Sequence, residues 1–269
     1  MSPHALNTPI GRFGIDTLEE GPTGCRATMP IRDMVNPVTG LPSLASLAML
    51  LDHIGGVVNF RRQASDEWTV SSELALEASP DAAAVVAAAE DALVLGTSLP
   101  LGAKTATALA ECVFRIGDAV IASGTVRSFY IESPATFAES PLDAGSMEPR
   151  TGLAAKASVG PARTEGATVV LPQSHDRVLE NTMGVVHGGV ASAGLEMAAS
   201  AAVNAGRTDD PLTTASLRVN FLRPFLAGDD SRYEATALRV GRRSGVADAQ
   251  AVGADGRVAI TARLTAYRC

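Results

Sequence analysis

The sequence repeats its own plan once, which constrains it to two like units or to one body with an internal two-fold. TVSSELALEASP (Thr69 to Pro80) runs without a gap alongside TTASLRVNFLRP (Thr213 to Pro224). Asn36 and Gly40 answer Asn181 and Gly184, and Asp52 falls on Glu196, each twelve residues beyond its glycine. Gly21-Pro22 followed by ATMP (Ala27 to Pro30) is echoed by Gly160-Pro161 followed by TVVLP (Thr168 to Pro172). Leu95-Gly96-Thr97 is matched with Val240-Gly241-Arg242. Identity is low, but order and spacing persist through both halves.

Between the halves, Ser133 to Arg150 is rich in Pro, Ser, Ala and acids, has no helical or strand period, and reads as a linker. The expected organisation is therefore an N-terminal unit over 10–132, a linker over 133–150 and a C-terminal unit over 151–269. Each half reads as a short strand, a loop, one helix and then several strands. The first helix is placed at Ser43 to Gly55, with Leu44, Leu47, Leu51 and Ile54 on one face. The second is placed at about Gly188 to Ala205, where small residues allow a sheet to wrap closely. Ser231 to Val240 and Arg257 to Tyr267 alternate as strands of a one-sided antiparallel sheet. In the second of these, Val258, Ile260, Ala262, Leu264 and Ala266 form the apolar side. Ala82 to Leu95 is ambiguous: its alanines favour helix, while its repeat partner is a strand, and strand is expected from Ala89 onward.

Composition narrows the partners. The chain is 46% hydrophobic and 19% charged, which leaves ample apolar material for a core. A formal net charge of −7 excludes a general nucleic-acid binder, which needs a broad basic surface. The apolar run from Leu44 to Phe60 is broken by Asp52 and His53, so no membrane span is expected. Cys25, Cys112 and Cys269 show no metal-ligand spacing and read as reduced cysteines of a cytoplasmic protein. His4 and His175 are isolated, so no metal site is expected.

The stretch from Asn181 to Gly189 (NTMGVVHGG) reads as a glycine turn that opens a helix carrying one acid, Glu196. Gly188 and Gly189 at a helix start let the backbone approach a ligand, and their N–H groups lie at the positive end of the helix dipole. That suits a developing oxyanion, and a carboxylate two turns along could activate water or attack. Each residue has a plainer reading as well. Glu196 and Asp52 could be solvated helix-face acids, and the glycines only a tight helix entry. His187 lacks a nearby Ser or Cys partner and reads foremost as hydrogen-bonding the turn, and His53 as structural.

Asn181, Gly184, the His187-Gly188-Gly189 triplet and Glu196 nine residues after the histidine together resemble the hotdog-fold acyl-CoA thioesterases of the PaaI-like type. The strand from Thr213 to Pro224 resembles the family's as well, with Thr214 where members often place a hydroxyl that bonds the attacking water. The match covers roughly residues 150–268. The resemblance implies an α+β fold: two tandem hotdog domains, each an antiparallel β-sheet wrapped around one central helix. The halves would pair as an intramolecular pseudo-dimer, to which further self-assembly could be added. It also implies an acyl-CoA thioesterase acting on a small-molecule thioester, with coenzyme A present only as part of the substrate and no other cofactor.

In the family the thioester lies between units, one supplying the Asn and glycine N–H and the other the acid. Carried over, one site joins Asn181 and Gly188 to Asp52, and the other joins Glu196 to Asn36 and the backbone near Leu44. The first is favoured, because Ser43-Leu44-Ala45 stands in place of His187-Gly188-Gly189 and a leucine would crowd the thioester. Val70 replaces Thr214 in this register, and Ser71 or Ser72 is the candidate substitute. Asp52 would act as general base or as nucleophile. Thr214, His187 and Gly189 complete the candidate set. Arg242 and Arg243 are the candidates for the coenzyme phosphates, with Arg223 and Arg218 behind them, although an ordinary charged hairpin explains the pair equally well. Low aromatic content hints at an aliphatic acyl chain. The competing functions are an acyl-CoA-binding module without turnover and an enoyl-thioester hydratase, whose Asp-His or Glu-His pair at different spacing is not found.

Overall fold

A computed structural model describes residues 4–31, 34–89, 93–136, 147–207 and 209–268. In chain order, the first half carries α1 (Pro9–Phe13), β1 (Asp16–Gly21), β2 (Gly24–Pro30), α2 (Ala45–Phe60), β3 (Glu67–Ala78), α3 (Ala82–Ala88), β4 (Leu93–Pro100), β5 (Thr107–Ile116) and β6 (Ala119–Glu132). The second carries α4 (Leu153–Ala157), β7 (Arg163–Glu165), β8 (Thr168–Pro172), a 3-10 turn (Arg177–Leu179), α5 (Gly188–Asn204), β9 (Thr213–Phe221), β10 (Arg232–Val240), β11 (Ser244–Val252) and β12 (Val258–Tyr267). Most of the predicted linker, 137–146, lies outside the described residues, as does Cys269.

The twelve strands among the described residues form one antiparallel sheet in the order β1-β2-β4-β5-β6-β3-β9-β12-β11-β10-β8-β7. The order is palindromic, so the sheet has an internal two-fold whose centre is the β3–β9 pair. That pair runs from Glu73↔Asn220 to Glu77↔Ser216 and is centred on Ala75↔Arg218. Each half keeps its own helix and sheet, and the two units pair side by side through those sheets. The halves share one continuous sheet, because the edge strand each half would expose is paired with its counterpart.

Helix α2 lies against β2 to β6, α5 lies against β8 to β12, and the helices touch each other. Most of α2 and nearly all of α5 is buried, as expected of helices covered on one side by a sheet and on the other by a helix. Small residues make this contact close. A Cβ on Gly189 would lie 2.7 Å from the Met49 Cα, and one on Gly194 would lie 2.2 Å from the Tyr233 ring. One hydrophobic cluster, from Phe13 to Ala266, runs through both halves.

The strand-level echo needs three corrections. The dyad through Ala75↔Arg218 relates strand residues 143 apart, not the 144 of the gapless alignment. Both halves carry an irregularity at matching places, between Ser71 and Glu73 and opposite Thr214 to Ser216, and this makes Ser71 the counterpart of Thr214. Second, β2 and β8 end at Pro30 and Pro172 as expected, but Gly21 lies in the β1–β2 hairpin while Gly160 precedes β7. Third, Gly96 lies inside β4, whereas Gly241 follows β10, so the match of Leu95-Gly96-Thr97 with Val240-Gly241-Arg242 fails. The element boundaries differ less. α2 continues past Gly55 to Phe60, with Gly55 inside the helix because a Cβ there would lie 2.7 Å from Val126 Cγ2. Ala82 to Ala88 is helical, and the strand begins at Leu93.

Candidate active site

Helices α2 and α5 run antiparallel across the dyad, so the start of each meets the middle of the other. His187 caps α5, its Nδ1 accepting from the Gly189 N–H at 3.1 Å. Ser43, one residue before the α2 N-cap Leu44, makes the corresponding bond, its hydroxyl accepting from the Ala45 N–H at 3.1 Å. The loops before the caps are also alike. Asn181 Oδ1 accepts from the Met183 N–H at 2.9 Å, Asn36 Oδ1 from the Val38 N–H at 2.9 Å, and Gly184 and Gly40 take the positive φ that closes each turn.

At the α5 start, Asp52 from α2 faces the glycine pair. Its Oδ2 lies 3.3 Å from His187 Nδ1, and its Oδ1 accepts from the Ser71 hydroxyl at 2.9 Å. A Cβ on Gly188 would sit 2.8 Å from that Oδ2 and 3.1 Å from the Phe221 ring, so only glycine leaves room between acid and backbone. The Gly188 N–H belongs to the first helical turn, whose donors have no intrahelical acceptor. His187 Nδ1 accepts from the Gly189 N–H, which engages its single in-plane lone pair, so the 3.3 Å approach to Asp52 Oδ2 is a contact and not a second hydrogen bond. Burial lowers the His187 pKa, and the nearby Asp52 carboxylate opposes that shift.

These groups form one wall of a cavity of about 580 Å³ between the halves. Val57, Phe60, Trp68, Phe129 and Ile131 contribute from the first half, and Met183, Val186, Phe221, Phe225 and Ile260 from the second. The chain has only seven Phe, three Tyr and one Trp. Four of those Phe and the single Trp line this cavity, so overall aromatic poverty says nothing against a ring-bearing substrate. His53 also borders the cavity. Its Nε2 is hydrogen-bonded to Thr17 Oγ1 at 2.8 Å, and burial, with His187 and His4 nearby, lowers its pKa to about 3.

The symmetry-related acid is walled in. Glu196 is 1% exposed, with Oε1 accepting from Thr214 at 2.5 Å and Oε2 from Ser43 at 2.9 Å. Burial raises its pKa, against the pull of the two hydroxyls. Asn36 Nδ2 is committed to the Met197 carbonyl at 3.0 Å, and Leu44 is buried where Gly188 stands in the other half. Asn181 Nδ2, by contrast, has no acceptor among the described residues.

Arg242 and Arg243 do not line the cavity. Their hairpin is tied by Arg207 to the end of α5, with Arg207 reaching the Gly241 carbonyl at 3.1 Å and the Arg242 carbonyl at 3.3 Å. Seventeen helical residues, about 25 Å, separate that end from Gly188. Arg223 does line the cavity, and Arg218 pairs with Glu77 outside it. Cys25 and Cys112 are buried free thiols, both pushed up to about 12 chiefly by burial, so neither is poised as a nucleophile. Among the described residues no His, Cys, Asp and Glu cluster could hold a metal ion, and no helix is long and apolar enough to cross a membrane.

Residues 183–260, from the site loop through β12's start, match the thioesterase superfamily. That match covers 78 of the 269 residues, and over that segment the chain is similar to the superfamily. Solved structures share its fold over nearly the whole length. The tesB protein of Mycobacterium avium subspecies paratuberculosis is 8% identical with a TM-score of 0.63, covering 99% of this chain and 100% of that one. An acyl-CoA thioesterase II, TesB2, from Mycobacterium marinum is 10% identical with a TM-score of 0.61, at 97% and 98% coverage. A hot dog fold protein from Alicyclobacillus acidocaldarius is 11% identical with a TM-score of 0.58, at 97% of each chain. No curated protein matches the sequence.

Proposed function

We propose that this protein hydrolyses an acyl-CoA thioester to the free acid and coenzyme A, at the site between Asp52 of one half and Gly188 of the other. The observation that carries the reading is the Asp52 carboxylate, oriented by Ser71 and facing the open N-terminus of α5 at the wall of an apolar cavity. The thioester carbonyl would point at the Gly188 N–H, with Asn181 Nδ2 as second donor. Loss of one such donor typically costs about 10²–10³ in rate. The superfamily match and a fold neighbour titled an acyl-CoA thioesterase support this class of reaction.

Asp52 then serves in one of two ways. As base, it takes a proton from water, the water oxygen bonds to the carbonyl carbon, and the C–S bond breaks as the oxyanion collapses. As nucleophile, its oxygen bonds to the carbonyl carbon, thiolate leaves, and water cleaves the resulting anhydride. The thiolate is a good leaving group, so neither route needs a strong general acid. His187 caps the helix and stands beside Asp52. Arg223 at the cavity wall takes over from Arg242 and Arg243 as the candidate for a coenzyme phosphate, because those two lie at the far end of α5.

The test is release of free CoA thiol from short, medium, long and aryl acyl-CoAs by wild type and Asp52→Asn. The expected outcome is turnover that falls by about 10²–10⁴ in the variant. Single-turnover hydrolysis in ¹⁸O-water separates the routes, since only the nucleophilic one leaves label in the enzyme. Tight acyl-CoA binding with no turnover would instead make the protein a binding module.

A further inference from the structure

The cavity wall carries a polar group that hydrolysis does not require. We infer that Ser128, held by Asn59, is a specificity-determining residue selecting acyl groups that bear a hydroxyl or oxo oxygen a few atoms from the thioester carbonyl. The orientation of the substrate in this inference rests on the hydrolase reading above.

Ser128 lines the cavity on β6 and is 1% exposed. It is the cross-strand partner of Ser71, the residue whose hydroxyl holds Asp52. Side chains directly opposed on neighbouring antiparallel strands have Cβ atoms about 5 Å apart. The Ser128 hydroxyl therefore lies one side chain beyond the group that orients the acid, where the first carbons after a bound carbonyl would pass.

Its environment is built and incomplete. The Ser128 oxygen accepts from Asn59 Nδ2 at 3.0 Å, and the same nitrogen donates to the Val126 carbonyl at 3.1 Å, which fixes the amide. Asn59 is fully buried, and its Oδ1 has no partner. One lone pair of the Ser128 oxygen is engaged by Asn59, and its O–H proton has no acceptor among the described residues. Much of the wall around it is apolar, with Val57, Phe60, Phe129 and Ile131 lining the same cavity. A plain alkyl chain would leave that donor unmet, whereas an oxygen on the acyl chain would accept from it. Nor does the fold demand a hydroxyl here. In the other half, Ala266 pairs with Thr214 as Ser128 pairs with Ser71.

The experiment compares 3-hydroxyhexanoyl-CoA with hexanoyl-CoA, using wild type and Ser128→Ala, with thermal melting to show that the variant is folded. The same pair is also offered as non-hydrolysable thioether analogues in calorimetric titrations. The expected result is a kcat/KM ratio favouring the hydroxyacyl ester by about tenfold or more in wild type, the factor that one hydrogen bond commonly supplies, collapsing to near one in S128A. A wild-type ratio near one, or a ratio that survives in S128A, overturns the inference while leaving the hydrolase reading intact. If neither ester is hydrolysed, the hydrolase reading fails and the thioethers decide. Tighter binding of the hydroxy analogue that is lost in S128A sustains the selectivity, and equal binding overturns it.

Discussion

Asp52 and Glu196 hold matching places on matching helices, yet their surroundings differ in kind. Asp52 faces a cavity and a glycine, while Glu196 is buried and hydrogen-bonded by Thr214 and Ser43. Glu196→Gln is therefore expected to keep activity that Asp52→Asn loses, as checked by CoA release from the same acyl-CoA. Because burial raises the folded-state pKa of Glu196, the folded protein binds a proton more readily than the unfolded chain above the ordinary glutamate range. Stability from this group is present at low pH and is lost as pH rises. E196Q should then gain on wild type in urea midpoint from pH 5 to pH 8; a constant difference would count against it. His53 acts in the opposite direction. Its pKa is lowered to about 3, so its contribution is present above the ordinary 6.5 and is lost as pH falls below that value. The loss should approach about 1.4 kcal/mol per pH unit and be flattened in His53→Gln, as measured by denaturant unfolding across pH 4 to 8.

At the scale of the element, the two glycines at the α5 start separate function from packing. Alanine at 188 would press on Asp52 Oδ2 and Phe221, so activity should drop by about 10²-fold in a folded protein, the usual effect of a small misplacement. Alanine at 189 would press on the Met49 backbone and should cost about 1–3 kcal/mol of stability. Kinetics and melting of G188A beside G189A distinguish the two. The hydroxyls divide similarly. Ser71→Ala should slow turnover by about tenfold or more through loss of a hydrogen bond to a charged group. Thr214→Ala should leave turnover intact. Equal losses in both variants would mean that both acids work. The motif was legible because a histidine, two glycines and an asparagine at fixed spacing have few other uses together. The register of Ser71 was not, because strands repeat every two residues and a one-residue irregularity leaves little trace in composition.

At the scale of the molecule, one sheet and one core join the halves, so they should unfold together. Trp68, the single tryptophan, reports locally from β3 at the cavity wall, while far-ultraviolet circular dichroism reports on the strands and helices of both halves. Coincident urea transitions by the two probes are expected, and separated ones would show that the halves are independent. The sequence by itself determined the doubled plan and the glycine turn before α5, because these are matters of local backbone freedom and of spacing along one chain, while the pairing of each acid with the other half's loop was implied by the family resemblance. Only the tertiary structure decided that the halves share one sheet, that the cavity opens beside Asp52 and not Glu196, that Ser71 and Ser128 stand side by side, and that Arg242 and Arg243 lie a helix length away. Those depend on which residues of distant segments meet, and that is set by strand register and by the antiparallel crossing of two helices, which spacing along the chain does not encode.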